Sequence, residues 1–177
     1  MSRRPVILLF ILLCPCIVFA QLGKLVPRPA EAAAAVREFC RLDYMGGRLS
    51  ADGWKQMKPL TTWGDSSAWR TFRIISRFDQ TDENAGTHTA RIAVRYIPVG
   101  VFELGIGFTP STDPDHVTFT VKDIDGAWRI DTTDPEPLFP QVSKPVAVQW
   151  LQAKLKTATD AAEKISIETA LKKLQGK

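Results

Sequence analysis

Apolar residues run without a charge from Pro5 to Phe19, then recur at helical spacing, then alternate with polar ones, and finally return to helical spacing. From Pro29 onward, Ala32, Val36, Phe39, Cys40 and Asp43 share one face at steps of three and four. That spacing predicts a helix, with Pro29 in its first turn, where a missing N–H is tolerated. Met45-Gly46-Gly47 ends it, because glycine readily takes the left-handed conformation that closes helices. Ser50 is placed to cap a second helix through Trp54, Met57 and Leu60, kept short by Gly53 and Pro59.

Period two then takes over. Phe72, Ile74 and Phe78 alternate with Arg73, Ile75 and Arg77, and Ala90, Ile92, Val94 and Tyr96 alternate with Arg91, Ala93 and Arg95. Both runs predict strands with one buried face. The polar stretch Asp79–His88 is expected to connect them as an antiparallel hairpin. Val117, Phe119 and Val121, the turn Asp125-Gly126, and Trp128 with Ile130 predict a second hairpin. Between the two, Val99–Phe108 is apolar except for Glu103 and is interrupted by Gly100, Gly105 and Gly107. It reads either as a mobile apolar lip touching a ligand, membrane or partner, or as a bent, buried strand. Pro135, Pro137, Pro140 and Pro145 lead the chain away from the sheet. Val146, Trp150, Leu151 and Leu155 then mark one helix, and Ile167, Ala170, Leu171 and Leu174 a last one, opened by the capping pair Asp160 and Glu163. Helices, then antiparallel strands, then helices imply an α+β fold.

The first apolar run changes this picture at its N-terminal end. Arg3 and Arg4 before the run, the run itself, and the small side chains of Val18 and Ala20 at its end are the three parts of a secretory signal peptide over residues 1–20, with cleavage between Ala20 and Gln21. The run is shorter than the roughly 20 residues that span a bilayer. The residues before Cys14 and Cys16 lack the small side chain of a lipoprotein site. The organisation expected is therefore a signal peptide at 1–20, a lead at 21–28, an α+β domain at 29–135, a proline-containing linker at 136–143 and a C-terminal helical extension at 144–176. The protein is expected to be periplasmic or secreted, with no membrane span once the signal is removed. Cleavage leaves Cys40 alone, so no intramolecular disulfide can form. It also lowers the net charge from +4 to +2, too weak a field to argue for nucleic acid. With His88 and His116 as the two histidines, neither a metal site nor a cofactor is expected.

In AVREFCRLDYMGGRLSADGWKQMKPL (35–60) and VTFTVKDIDGAWRIDTTDP (117–135), the chain resembles the nuclear transport factor 2-like superfamily, a cone of curved antiparallel sheet wrapped around a long N-terminal helix. The resemblance covers roughly residues 30–135. It implies a nuclear transport factor 2-like cone and a choice among isomerases, dehydratases, ligand-binding domains and interaction domains, which a shared fold does not make.

Candidate chemistry is sparse. Asp43, on the apolar face of the first helix, would be desolvated and suited to proton transfer if that face lines the cone. It could equally reach solvent or bond a loop backbone from the last turns of the helix. Tyr96 projects with Ile92 and Val94, and the resemblance implies pairing of a phenol with a carboxylate. His116, beside Asp113 and Asp115, is either a third catalytic candidate or part of a turn. A mainly apolar pocket is expected from Val36, Phe39, Trp54, Ile92, Val94 and Trp128. Arg73, Arg77, Arg91 and Arg95 form either a basic ladder for an anion or acidic partner or an ordinary solvated face. The leading expectation is an exported, non-catalytic domain that binds a small apolar ligand or an envelope protein; a homodimer is also allowed. The alternatives are a small isomerase, dehydratase or hydrolase using Asp43, Tyr96 or His116, and an envelope assembly module docking through the lysine-rich C-terminal helices.

Overall fold

The computed structural model describes residues 29–64, 69–136 and 138–176; the expected signal peptide, its cleavage site and the lead at 21–28 lie outside the described residues. Helix α1 (Pro29–Tyr44) is closed by Gly46 in the left-handed region, with φ of 86°. Helix α2 (Ala51–Met57) is capped by Ser50, whose hydroxyl accepts from Gly53 N at 3.1 Å. Six strands follow: β1 (Thr71–Ala85), β2 (Thr89–Glu103), β3 (Gly107–Pro110), β4 (Asp115–Ile124), β5 (Ala127–Asp134) and β6 (Gln141–Ser143). Helices α3 (Lys144–Thr157) and α4 (Ala161–Gln175) complete the described chain. The strands make one sheet in the order β5-β4-β2-β1-β6, with β3 pairing the far end of β2. Every pairing is antiparallel except that of β1 with β6. The sheet is a strongly curled half-barrel with helices at both ends. Among the described residues, no helix is long and apolar enough to cross a membrane.

Two long strands carry the architecture. β1 and β2 are each 15 residues long, so most of the stretch expected as a polar connection, from Asp79 to Ala85, is strand. The turn itself is confined to Gly86–His88 and is tied by Gly86 N donating to Thr89 O. The hydrophobic pattern missed this extension because a ladder is made of backbone groups. Asp79 opposite Arg95 and Asn84 opposite Arg91 continue it with polar side chains.

Along β2 the alternation is unbroken, and every even-numbered residue from Ala90 to Phe102 is buried. β1 departs from it. Ile74 and Ile75 are adjacent yet both fully buried, whereas alternation placed Ile75 outward with the arginines. Register shifts on either side of Ile75 mark a β-bulge there, and a bulge re-aims the residues after it.

The bulge is also where β1 passes between two hydrophobic cores. One lies under α1 and α2 and contains Val36, Phe39, Trp54, Met57, Ile75, Ile92, Tyr96, Phe119 and Trp128. The other joins Phe72, Ile74, Phe102 and Phe108 to Ala147, Leu151, Ile167, Ala170 and Leu174 of α3 and α4. The linker region ends in β6, which pairs with Arg73–Ile75 and so attaches the C-terminal helices to the sheet.

Residues 100–108 resolve as strand, turn and strand. Phe102, Leu104 and Phe108 are buried, and Ile106 at the tip is 72% exposed. Gly100 lies directly beneath the Phe108 ring, where an added Cβ would stand 2.4 Å from a ring carbon and from Thr109 O. The segment is therefore a buried strand pair closed by a tight turn, with one apolar side chain at its tip.

Candidate functional site

Asp43 sits at the C-terminal end of α1, on the apolar face that the periodicity assigned to it, and is fully buried. Burial of a carboxylate is costly without compensation, and here three hydrogen bonds compensate it. Arg48 donates from Nε to Asp43 Oδ1 at 2.9 Å and from Nη2 to Oδ2 at 2.6 Å, while Gln141 N donates to Oδ2 at 2.9 Å. Arg48, itself 4% exposed, also donates to the carbonyls of Leu138 at 2.6 Å and Phe139 at 2.7 Å. The rings of Phe39 and Trp69 lie over its guanidinium at 5.4 and 5.5 Å. This fork-to-fork pair clasps the segment leading into β6 against the end of α1. Both carboxylate oxygens are occupied. Removing either partner would leave the other charge buried and uncompensated, a loss of about 3–5 kcal/mol.

One helical turn earlier, Cys40 Sγ meets Tyr96 Oη at 3.1 Å, both buried. Burial pushes the Cys40 thiol up to about 12, only partly opposed by the Tyr96 hydrogen bond. Burial, followed by the neighbouring Cys40, also raises the Tyr96 phenol well above its ordinary value. Tyr96 is thus bonded to a thiol, and Asp43 to an arginine and a backbone amide. His116 is exposed at the start of β4, opposite Arg95, and therefore on the face of the sheet away from Tyr96. The three candidate catalytic residues do not converge.

The apolar residues expected to line a pocket, Val36, Phe39, Trp54, Ile92, Val94 and Trp128, pack together in the core under α1. Val94 also reaches a cleft of about 550 Å³ where α1 leans over β1 and β2. Cys40, Phe78 and Val94 supply its apolar wall, and Arg37, Arg41, Asp79 and Gln80 its polar one. Arg37 and Arg41 are one turn apart on the edge of α1 beside its buried face. Arg41 is held to Glu38 through Nε at 2.8 Å and Nη2 at 2.7 Å. Across the cleft, Asp79 receives Arg95 Nη2 at 3.1 Å and lies 3.4 Å from Arg77 Nε. The hydrogen bond from Arg95, aided by the charge of Arg77, holds the Asp79 carboxyl below the usual carboxylate range. Gln80 Oε1 is buried and meets no hydrogen-bond partner.

The basic ladder expected from the strands is accordingly divided. Arg77 and Arg95 converge on Asp79, Arg73 is paired with Asp115 on β4, and Arg91 is exposed toward the hairpin end. Among the described residues, no cluster of three or more histidine, cysteine or acidic side chains is placed to hold a metal ion.

Sequence periodicity did not single out Arg37, Arg41, Gln80 or Arg48. The first three flank apolar positions as any solvated residue does, and Arg48 follows a glycine break that erases helical phase. No family model, curated protein or solved structure matches the chain.

Proposed function

We propose that this chain is an exported binding domain on a nuclear transport factor 2-like cone, holding a small molecule non-catalytically in the cleft between α1 and the β1–β2 ribbon. The observation that carries this reading is the cleft itself, an apolar wall of Cys40, Phe78 and Val94 facing a few polar groups. Its volume of about 550 Å³ falls in the range of small-ligand sites. The non-catalytic half of the reading is supported by where the acid–base groups stand. Asp43 is committed to Arg48 and Gln141, Tyr96 is sealed against Cys40, and His116 lies on the other face. Export rests on the composition of residues 1–20.

Mass spectrometry of the protein purified from the full reading frame, denatured to release its contents, tests the proposal. A discrete small molecule is expected from the wild type and should be lost in Gln80→Trp, which fills the cleft from a partly exposed wall position. Far-UV circular dichroism should be unchanged in that variant. A wild type that releases nothing and gains no thermal stability from any member of a fragment library would sink the reading.

A further inference from the structure

We infer that the ligand of this cleft is a small organic anion, an apolar or aromatic body ending in a carboxylate. The inference rests on the binding role proposed above and adds the ligand's chemical class. Among the residues lining the cleft, Arg37 and Arg41 supply guanidinium groups and Asp79 a carboxylate, with Glu38 beside Arg41 on α1. Each carboxylate is already engaged, Glu38 by Arg41 and Asp79 by Arg95 and Arg77. Arg37, on the cleft wall, has no carboxylate within ion-pair distance among the described residues. A planar guanidinium left open beside a cleft matches a carboxylate in geometry as well as charge.

The walls argue against a bare inorganic ion. Phe78 and Val94 present apolar surface, and the volume far exceeds that of one oxyanion. Gln80 Oε1, an acceptor without a donor, adds a preference for a ligand that also carries an N–H or O–H group. A cation would be repelled by the open Arg37, and a neutral ligand would leave that guanidinium unused.

The test is a set of matched probes, ω-phenylalkanoates from two to four carbons, their primary amides and the corresponding amines, titrated calorimetrically into wild type, Arg37→Ala and Gln80→Trp. The carboxylates should bind at least about tenfold more tightly than the amides, with affinity falling as salt is raised. Arg37→Ala should remove that advantage while leaving amide binding unchanged, and Gln80→Trp should abolish both. Amides binding as tightly as carboxylates, with both lost in Gln80→Trp, would overturn the anion and leave the cleft standing. Tighter binding of the amines would overturn it equally. Carboxylate binding that survives Gln80→Trp would place the anion elsewhere and overturn the inference. If no probe binds at millimolar concentration the inference also fails, and release of a co-purified molecule then decides separately whether the cleft is a binding site.

Discussion

A thiol sealed between a helix and a sheet has to stay protonated for as long as the chain is folded. Cys40 is such a group, and the pH dependence follows from it. In the unfolded chain the thiol ionises around its ordinary 9.0, whereas in the folded chain it holds its proton to about 12. Above pH 9 the unfolded state therefore binds fewer protons than the folded one, and stability falls as pH rises. Between 9 and 12 this one group removes about 1.4 kcal/mol per pH unit. Tyr96, raised in the same direction, adds to the loss at the upper end. Urea denaturation from pH 8 to 11 should show this fall, and Cys40→Ala should flatten it; an unaltered slope would contradict the account. At this scale the sequence placed Asp43, Cys40 and Tyr96 on inward faces. It did not show their partners. Arg48 lies 90 and 91 residues from the carbonyls it grips, and such distances are closed only by folding.

Among the elements, β3 is the one most dependent on a single residue. Its pairing with β2 brings the Phe108 ring onto the backbone of Gly100. Gly100→Ala would place a methyl 2.4 Å from both the ring and Thr109 O, one of them backbone that cannot swing aside. Overpacking of this kind costs about 3 kcal/mol, and the loss should appear as a lowered denaturation midpoint, with amide protection disappearing first across 100–110. Full stability in that variant would show that β3 does not pack as described. The elements themselves were legible where period and burial agree, as in α1, β2, β4 and β5. Asp160 accepting from Glu163 N at 2.8 Å, half of the capping pair at the start of α4, was legible too. The far half of β1 and the whole of β6 were not. One is a ladder of polar residues, and the other is three residues long, too short to establish a period.

For the whole molecule, the arrangement of the two cores decides what the C-terminal helices are for. The buried apolar residues of α3 and α4 are engaged with Phe72, Ile74 and Phe102, on the same strands that support α1 farther along, and with Phe108 of β3. Truncation after Ser143 would uncover these side chains together. The shortened chain should aggregate, or lose cooperative unfolding in calorimetry, because the exposed apolar surface belongs to a continuous sheet. Recovery of a monomeric, cooperatively folding 1–143 fragment would instead make the helices a separable appendage. The sequence by itself determined the α+β class, the inward faces of α1 and β2, the caps of α2 and α4 and the single thiol among the described residues. These follow from local spacing and from the chemistry of individual residues. Only the tertiary structure decided that Asp43 is clasped, that the bulge at Ile75 turns one sheet toward two cores, and that Arg37 and Arg41 meet Asp79 across a cleft. Each of these depends on the curl of the sheet, which brings distant segments into register, and no local pattern encodes that curvature.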